Sequence, residues 1–285
     1  MLHLRSKFAL IVALAAVALT AACANQSSQS SAPQQSAAAS SSASSASEAL
    51  YDPQALPTGP LGASIKLGHD ILNDTPKYLP HNVVAGMSCS ACHVAAGTQA
   101  RAGSLVGVYA RFPQWNKRAK RMITLQDRIA ECFLYSMNGT PPAYTSKEMI
   151  AMVSYMAYLS RKVPTGQPVA KDTRFIVALP SAAPNVAHGD ALYAQKCSMC
   201  HQANGAGIPG QFPALWGATS FNKGAGMAKV AMMAGFVRYN MPLGKAGTLS
   251  DQQAYDVAAF VESHKRPAFD KKASISFPPE PASFF

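Results

Sequence analysis

Two copies of one five-residue motif constrain this chain more than any other feature. Cys89–His93 and Cys197–His201 both read Cys-x-x-Cys-His. At this spacing two thiols can form thioether bonds to one haem, and the adjacent histidine can supply the proximal ligand of the iron. A disulfide or a zinc knuckle would also use the cysteines, but neither explains why a histidine follows the second cysteine both times.

The motifs therefore predict two covalently bound c-type haems. The first haem would be attached through Cys89 and Cys92, with His93 on the iron. The second would be attached through Cys197 and Cys200, with His201 on the iron.

The first 22 residues have the pattern of a secretory signal peptide. Two basic residues precede the apolar run Phe8–Leu19, and small residues follow it. The run is shorter than the about 20 apolar residues that a spanning helix needs. Cys23 comes next and resembles a bacterial lipoprotein site. We therefore expect a periplasmic protein tethered to the membrane through lipidated Cys23, with a soluble periplasmic form as the alternative.

The rest of the chain divides into a tether, two folded domains and a linker. Residues 23–48 hold the lipid-anchor site and a Ser/Ala/Gln segment too poor in apolar residues to fold. We expect the N-terminal domain at 49–165, the linker at 166–182, and the C-terminal domain with its tail at 183–285. Both halves have the same order of helix, haem motif, loop, candidate distal ligand and capped helix. The predicted fold class is all-α, with two cytochrome c domains that each carry one haem.

Capping pairs and apolar periodicity predict where several helices begin and which faces they bury. The capping pairs are Thr124/Asp127, Thr145/Glu148 and Ser250/Gln253. Entry helices are expected over Ile65–Leu72 and Gly189–Lys196. The buried faces of the two closing helices follow a 3.6-residue period. They are Met149, Met152, Val153, Met156 and Leu159 in the first half, and Ala254, Val257, Ala258 and Val261 in the second.

Spacing also suggests the distal ligand in the second half. Met241 lies 40 residues after His201 (241 − 201) and is flanked by Asn240 and Pro242. Other methionines of this stretch fit core positions at helical spacing, namely Met227, Met232 and Met233. This half resembles a monohaem cytochrome c domain with His201/Met241 ligation.

Cys132 is the residue that decides whether the sequence indicates an enzyme or an electron carrier. It is the odd cysteine in an oxidising compartment, and it lies 39 residues after His93 (132 − 93), close to the spacing of the distal methionine. Arg128, Cys132 and Ser136 are spaced i, i+4 and i+8, which places them on one helix face. Nearby basic residues would lower the pKa of the thiol. These features favour Cys132 as the distal ligand of the first haem.

Two other ligand sets remain open for the first haem. Met137 would give an ordinary His/Met domain, with Cys132 as a buried structural thiol. His69 or His81 would give bis-His ligation.

The charge of the chain indicates the chemistry of its partners. The whole chain carries +11, and the signal peptide holds Arg5 and Lys7 without an acidic residue, so the mature chain carries +9 (11 − 2). This balance suits anionic substrates, acidic redox partners or membrane headgroups. We do not expect nucleic acid as a partner of an exported haem protein.

Two segments around Cys132 closely resemble the dihaem thiosulfate dehydrogenases. Gly107–Gln114 reads Gly-x-Tyr-x-Arg-Phe-Pro-Gln, and Asp127–Gly139 reads Asp-Arg-Ile-x-x-Cys-Phe-x-x-Ser-Met-Asn-Gly. With both haem motifs and Asn240-Met241-Pro242, the resemblance covers roughly residues 55–270.

The resemblance implies reversible coupling of two thiosulfates to tetrathionate at a haem ligated by His93 and Cys132. Cys132 would be the catalytic ligand, and Arg118, Arg128 and Ser136 would hold the anion. The second haem would exchange electrons with an external partner, such as a small cytochrome c or a quinol-linked donor. The alternatives are a dihaem electron carrier without its own substrate, and a tethered subunit that donates electrons to another enzyme.

Overall fold

The computed structural model describes residues 50–269, except 85, 167–176, 179 and 181. The signal peptide, Cys23, the tether, most of the linker and the end of the tail therefore lie outside the described residues. Within the described ranges, no helix combines the length and the apolar character needed to cross a membrane.

The first domain consists of helices joined by long loops. In chain order its elements are α1 (Pro60–Asn73), α2 (Thr75–Tyr78), β1 (Gln114–Asn116), β2 (Arg121–Ile123), α3 (Leu125–Glu131), a π-helical turn (Cys132–Ser136) and α4 (Lys147–Leu159). The strands β1 and β2 pair antiparallel, with Trp115 opposite Met122. This short hairpin was not predicted from the sequence, and the domain is otherwise helical.

The second domain repeats the helical plan. Its elements are α5 (Val186–Lys196), α6 (Ser198–His201), α7 (Val230–Asn240) and α8 (Asp251–Ser263). Helix α8 packs against both α5 and α7. The described residue Val177 of the predicted linker is buried against this domain, and its carbonyl accepts a hydrogen bond from Tyr255.

The same close helix crossing occurs in both domains. Gly68 of α1 lies against the Ala151 carbonyl of α4, and a Cβ at this glycine would come within 2.1 Å of that oxygen. Gly189 of α5 lies against the Asp256 carbonyl of α8, where the corresponding distance is 2.0 Å. A side chain at either glycine would force the two helices apart, so the entry and closing helices of each domain depend on it.

The predicted capping pairs are confirmed at two of the three helices. Thr124 and Asp127 bond reciprocally at the start of α3, and Ser250 and Gln253 do so at α8. The Thr145/Glu148 pair was wrong by one residue, because the Ser146 side chain accepts from the Met149 backbone N–H and begins α4.

The periodic faces of the closing helices are buried as predicted. In α8, all four expected residues lie in the core. In α4, Val153 is only half-buried but packs against the core, while the other four are buried. Tyr155 is also fully buried, and its hydroxyl donates to the Ala96 carbonyl.

Candidate functional site

A cavity of about 600 Å³ in the first domain collects the chemistry that the sequence predicted there. Cys89, Cys92 and His93 of the first haem motif line it, and Cys132 does so as well. Apolar side chains from α3, α4 and the loops complete most of the wall. The volume falls within the range of roughly 300–1,000 Å³ that is usual for cofactor sites.

The orientation of His93 suits a metal ligand. Its Nδ1 bonds the Gly103 carbonyl, which can only accept, so Nδ1 carries the proton. Nε2 is then the unprotonated nitrogen, and His93 lines the cavity. A backbone bond of this kind is the usual way to fix the tautomer of a metal-binding histidine.

Cys132 begins a π-helical turn at the end of α3. The Met137 N–H donates to the Cys132 carbonyl at 3.0 Å, a bond that spans five residues rather than four. The sequence-based prediction placed Arg128, Cys132 and Ser136 on one α-helical face. The helix widens at Cys132, yet all three side chains line the cavity. Such π-helical turns are rare and frequently occur at functional sites.

The electrostatics of the cavity favour a thiolate at Cys132. Burial raises the pKa of this thiol, but effects that lower it, of which the positive charge of the Arg128 guanidinium is the largest, outweigh burial, so that the pKa lies below the ordinary value of a cysteine. Arg128 Nη1 lies 3.4 Å from Cys132 Sγ. In contrast, burial raises the pKa of Cys89 to about 11 and that of Cys92 to about 12. Among the three cavity cysteines, only Cys132 has a lowered pKa.

Arg118 lies outside the wall of this cavity. Its Nη2 donates to the Gly224 carbonyl of the second domain at 2.9 Å. Its guanidinium carbon lies 4.4 Å from the ring centre of Tyr135 and 5.3 Å from that of Phe269. The structure therefore brings Arg128, Cys132 and Ser136 together and places Arg118 behind them, where the two domains meet.

The alternative ligands of the first haem have different positions. Met137 is buried and lines the cavity, so it shares the space with Cys132. His69 does not line the cavity, and its ring stacks on Tyr51 at a centroid distance of 4.1 Å. His81 is exposed and also lies outside the cavity wall.

The second haem motif has a matching histidine. His201 Nδ1 donates to the Pro213 carbonyl at 3.0 Å, which again leaves Nε2 unprotonated. Burial lowers the pKa of His201, although this hydrogen bond opposes the effect. The low basicity keeps the imidazole neutral, which is the form that binds iron.

The two cysteines of the second motif are held one turn apart. Cys197 directly precedes α6 and Cys200 lies within it, and the Cys200 N–H donates to the Cys197 carbonyl at 3.1 Å. Both residues are half-buried, and burial raises the pKa of Cys197 to about 11. Cys197 and Met241 both pack against the apolar core of the second domain. Within the described part of the chain, Cys200 does not belong to that group. None of the described cysteines forms a disulfide, so both thiols are free to bind haem.

Three residues that the sequence analysis did not assign to the site also line the first cavity. Arg111 comes from the segment before β1, Gln114 is the first residue of β1, and Met232 comes from α7 of the second domain. Arg111 and Gln114 lie in the Gly107–Gln114 segment, whose family resemblance could have indicated that these two residues belong to the site. Met232 was expected in the core, and no local pattern could place it here because it reaches the cavity from the other domain.

Comparison with known proteins assigns each half to a family of domains. Residues 80–165 match the SoxA/TsdA cytochrome c domain, and residues 186–265 match the cytochrome c domain. Each of these domains binds haem covalently, and both haem motifs fall within the matched ranges. The chain therefore carries two covalently bound c-type haems. The thiols and the Nε2 atom of His93 on the cavity wall fit such a group.

Curated relatives match most of the chain. The thiosulfate dehydrogenase of Allochromatium vinosum is 45% identical over 225 residues, which cover 76% of this chain and 83% of the relative. The thiosulfate dehydrogenase of Stutzerimonas stutzeri is 38% identical over 229 residues, which cover 78% of this chain and 75% of the relative.

A solved structure shows the same architecture. The thiosulfate dehydrogenase TsdBA of Marichromatium purpuratum superposes with a TM-score of 0.72 at 33% identity. The match covers 82% of this chain and 53% of the other, so this chain spans about half the length of that protein.

Proposed function

Because the chain belongs to the thiosulfate dehydrogenase family of dihaem cytochromes c, we propose that it interconverts thiosulfate and tetrathionate in the periplasm. One observation carries the proposal more than any other. Arg128 Nη1 lies 3.4 Å from Cys132 Sγ, at the wall of the cavity that also holds the first haem motif. A sulfur nucleophile and an oxyanion-binding cation are thus adjacent at a redox cofactor site.

The proposed attachment points of the two haems are the motif cysteines. Cys89 and Cys92 would hold the first haem from the cavity wall, which both of them line. Cys197 and Cys200 would hold the second haem from the start of α6 and from within it.

The proposed ligands of the first haem are His93 and Cys132. The lowered pKa of Cys132 and the fixed tautomer of His93 support this choice. A thiolate is a soft ligand for iron and also the reactive form of cysteine toward sulfur. The attached haems supply the acceptors for two electrons, one each.

The proposed reaction takes place on the Cys132 sulfur. The thiolate and the sulfane sulfur of one thiosulfate form an S–S bond, and two electrons leave. The second thiosulfate attacks this bond, releases tetrathionate and restores the thiolate. Run in reverse, the same steps take up two electrons and split tetrathionate into two thiosulfates.

The proposed anion site offsets the charge that the two dianions bring together. Arg128 and Ser136 line the cavity beside Cys132, and a guanidinium can bind an oxyanion through two parallel hydrogen bonds. Arg118 completes the proposed site from the domain contact, where it lies over Tyr135, the neighbour of Ser136.

The second haem is proposed to be ligated by His201 and Met241 and to exchange electrons with an external redox partner. A small cytochrome c or a quinol-linked donor would fill that role. Membrane attachment through lipidated Cys23 belongs to the same proposal, and this residue lies outside the described part of the chain.

Replacement of Cys132 tests the proposed function directly. We expect Cys132→Ala to abolish both thiosulfate oxidation and tetrathionate reduction while both haems stay covalently attached. Steady-state assays with an artificial acceptor and with a strong reductant measure the two directions, and mass spectrometry measures the haem content. Turnover that persists in the fully loaded variant would refute the proposal.

The electron-carrier alternative is favoured by one observation, the burial of Met137 in the same cavity wall. Met137→Leu separates the two functions. If Cys132 is the ligand, the low-temperature EPR spectrum of the first haem keeps its thiolate-type signal in this variant. A His/Met-type signal in the intact protein that disappears in Met137→Leu would establish the carrier instead.

A further inference from the structure

The π-helical turn that begins at Cys132 ends against the second domain. The last carbonyls of a helix have no partner within it and must be satisfied elsewhere. The Phe133 carbonyl accepts from the Gly139 N–H at 2.8 Å, within the same domain. The next two carbonyls accept from Asn222 of the second domain. Its Nδ2 donates to Leu134 at 2.7 Å, and its backbone N–H donates to Tyr135 at 3.0 Å.

Asn222 is well suited to hold this turn. It is 5% exposed, so its side chain has little access to water. Its Nδ2 also lies 3.2 Å from the Asn138 side-chain oxygen, and its own Oδ1 accepts from the Gly224 N–H at 2.9 Å. The amide is therefore fixed from both ends. It closes the helix end that presents Cys132 to the cavity.

A second set of contacts runs in the opposite direction, from the first domain to the segment next to Met241. Asn240 ends α7 immediately before this methionine and is 3% exposed. Its Oδ1 accepts from Gln99 Nε2 of the first domain at 2.8 Å. Its Nδ2 donates to the Arg101 carbonyl of the first domain at 2.8 Å, and to the Phe236 carbonyl of its own helix at 3.1 Å.

The segment that holds Asn240 is itself fixed to the first haem site. Gln99 and Arg101 lie in the loop that follows His93, and the Gly103 carbonyl at its end holds His93 Nδ1. The Arg101 guanidinium also lies over the Tyr239 ring, at 4.5 Å from its centre. The end of α7 is therefore bound to this loop through two consecutive residues, Tyr239 and Asn240.

We propose that each domain holds the distal ligand of the other: Asn222 positions Cys132, and Gln99 positions Met241. The inference rests on the proposed axial ligands. Gln99 and Asn222 are positioning residues, because each acts through a neighbouring segment rather than by contact with substrate. Docking of the two domains thus completes the distal side of both haem sites.

The physical reason lies in the cost of an unpaired buried polar group. Without the Asn222 amide, the Leu134 carbonyl would be left buried and unpaired, and the turn would relax to find another donor. Without the Gln99 amide, Asn240 Oδ1 would be left in the same state, and the end of α7 would loosen next to Met241. The loss at Gln99 falls on the other domain. The loss at Asn222 falls on the Leu134 carbonyl of the other domain and also on the Gly224 N–H of its own domain.

Crossed leucine variants of the full dihaem protein test the proposal. Leucine is close to both amides in size and cannot form a hydrogen bond. We expect Asn222→Leu to alter the EPR spectrum of the first haem. Because one buried hydrogen bond is lost, thiosulfate turnover should fall about tenfold. The Met-to-iron charge-transfer band of the second haem should stay unchanged in that variant.

Gln99→Leu should show the opposite pattern. We expect the fraction of second haem without bound methionine to rise about tenfold, with a lower midpoint potential for that haem. The EPR spectrum of the first haem should stay unchanged. The two variants are therefore matched controls for each other. Gln211→Leu, at an exposed position of the second domain, should change neither haem.

Other patterns would overturn the proposal. Equal changes at both haems in each variant would indicate general destabilisation, and changes confined to the haem of the substituted domain would also contradict it. If a leucine variant fails to fold, Asn222→Asp and Gln99→Glu keep the shape and replace the donating N–H groups by carboxylate oxygens. The same crossed pattern is expected from them, and its absence would refute the positioning role.

Failure of the underlying ligand assignment would look different. Cys132→Ala must change the first haem spectrum, and Met241→Gly must change the second. If either variant leaves its spectrum intact, the proposed ligand is wrong. If both spectra change while the crossed variants change nothing, only the positioning role is wrong.

Discussion

Arg128 lies at the centre of the proposed anion site, because it contacts Cys132 and lines the cavity. Arg128 Nη1 also forms an ion pair with the Glu131 carboxylate, at 3.5 Å. The Arg128 side chain is 46% exposed, but an anion bound at the Cys132 sulfur would contact its guanidinium directly. Such a hydrogen bond between charged groups is worth on the order of 1.5–3 kcal/mol, whereas a surface charge without a direct contact contributes little. The basic residues of this region should therefore differ sharply in their effect on thiosulfate use.

This difference gives a matched pair of variants. We expect Arg128→Gln to lower kcat/KM for thiosulfate by about 10- to 100-fold. Lys120→Gln, which removes an exposed charge in the loop between β1 and β2, should change it less than about twofold. Steady-state kinetics of the two fully haem-loaded variants measure the effect. Equal, small losses would remove Arg128 from the site.

Arg118 has less direct access to the cavity, since its guanidinium is bonded to the Gly224 carbonyl. The sequence could not distinguish it from Arg128, because both belong to one basic stretch. The distinction depends on where the second domain docks. The proposed role of Arg118 therefore stays a prediction, with Arg118→Gln expected to lower thiosulfate kcat/KM as well.

Helix α3 contains Arg128 and leads directly into Cys132. The positions of both residues therefore depend on a stable first turn of this helix. Asp127 is 6% exposed and accepts hydrogen bonds from the Thr124 N–H at 2.7 Å and from the Tyr144 hydroxyl at 2.6 Å. Burial raises the pKa of this carboxyl, but these bonds and Arg121 outweigh burial and leave the pKa below its ordinary value.

The sign of the resulting pH dependence follows from linkage. A carboxyl whose pKa is lower in the folded state binds protons less readily there, so it stabilises the fold above its unfolded pKa. That contribution is lost as the pH falls through the folded pKa. We expect Asp127→Asn to lower the free energy of unfolding by about 1–3 kcal/mol at neutral pH.

Denaturant unfolding between about pH 3 and pH 7 measures this difference. The gap between wild type and Asp127→Asn should narrow as the pH falls. Asp190→Asn, at an exposed position on α5, should show no comparable gap. A gap that is constant across the pH range would show that the charge of Asp127 contributes nothing.

Local patterns predicted the elements that depend on local physics. The face of α8 and the capping pairs at Thr124 and Ser250 could be read directly, because periodicity and capping are properties of short segments. The start of α4 was missed by one residue because Thr145 and Ser146 are both good caps. The hairpin was missed because each of its strands has only three residues.

The π-helical turn could not be predicted, because no local signature distinguishes it from a continued α-helix. Its end is satisfied by Asn222, which lies 90 residues further along the chain than Cys132 (222 − 132). Contacts of that range decide the geometry of Cys132. The sequence therefore predicted Cys132 as a candidate ligand, while contacts from the second domain, which no local pattern shows, hold the turn that it begins.

At the scale of the whole molecule, the two domains are copies of one plan with different proposed distal ligands. The Gly68 and Gly189 crossings show how similar the entry and closing helices remain. The differences concentrate in the segment that leads to the distal ligand, where the first domain has a π-helical turn and the second has α7. One fold thus supports a candidate catalytic haem and a candidate relay haem.

The net charge of the molecule should also affect how fast an anionic substrate arrives. The whole chain carries +11, and without the predicted signal peptide, which holds Arg5 and Lys7, it would carry +9 (11 − 2). Arg111 and Arg128 line the cavity itself. A positively charged surface around such a cavity attracts dianions and speeds their encounter, and salt screens this attraction over about 10 Å at 0.1 M.

We therefore expect the second-order rate of haem reduction by thiosulfate to fall as ionic strength rises from about 10 mM to about 300 mM. Stopped-flow mixing of the oxidised protein with thiosulfate measures this rate without a charged electron acceptor, whose own encounter would also depend on salt. The double variant Lys117→Glu/Lys120→Glu should flatten the dependence, because both side chains are exposed in the loop between β1 and β2, and Gln114 at the start of β1 lines the cavity. At high salt its rate should approach that of wild type, since screening removes the long-range attraction while Arg128 and Cys132 are unchanged. A rate independent of salt in the wild-type protein would mean that thiosulfate is captured only by short-range contacts inside the cavity.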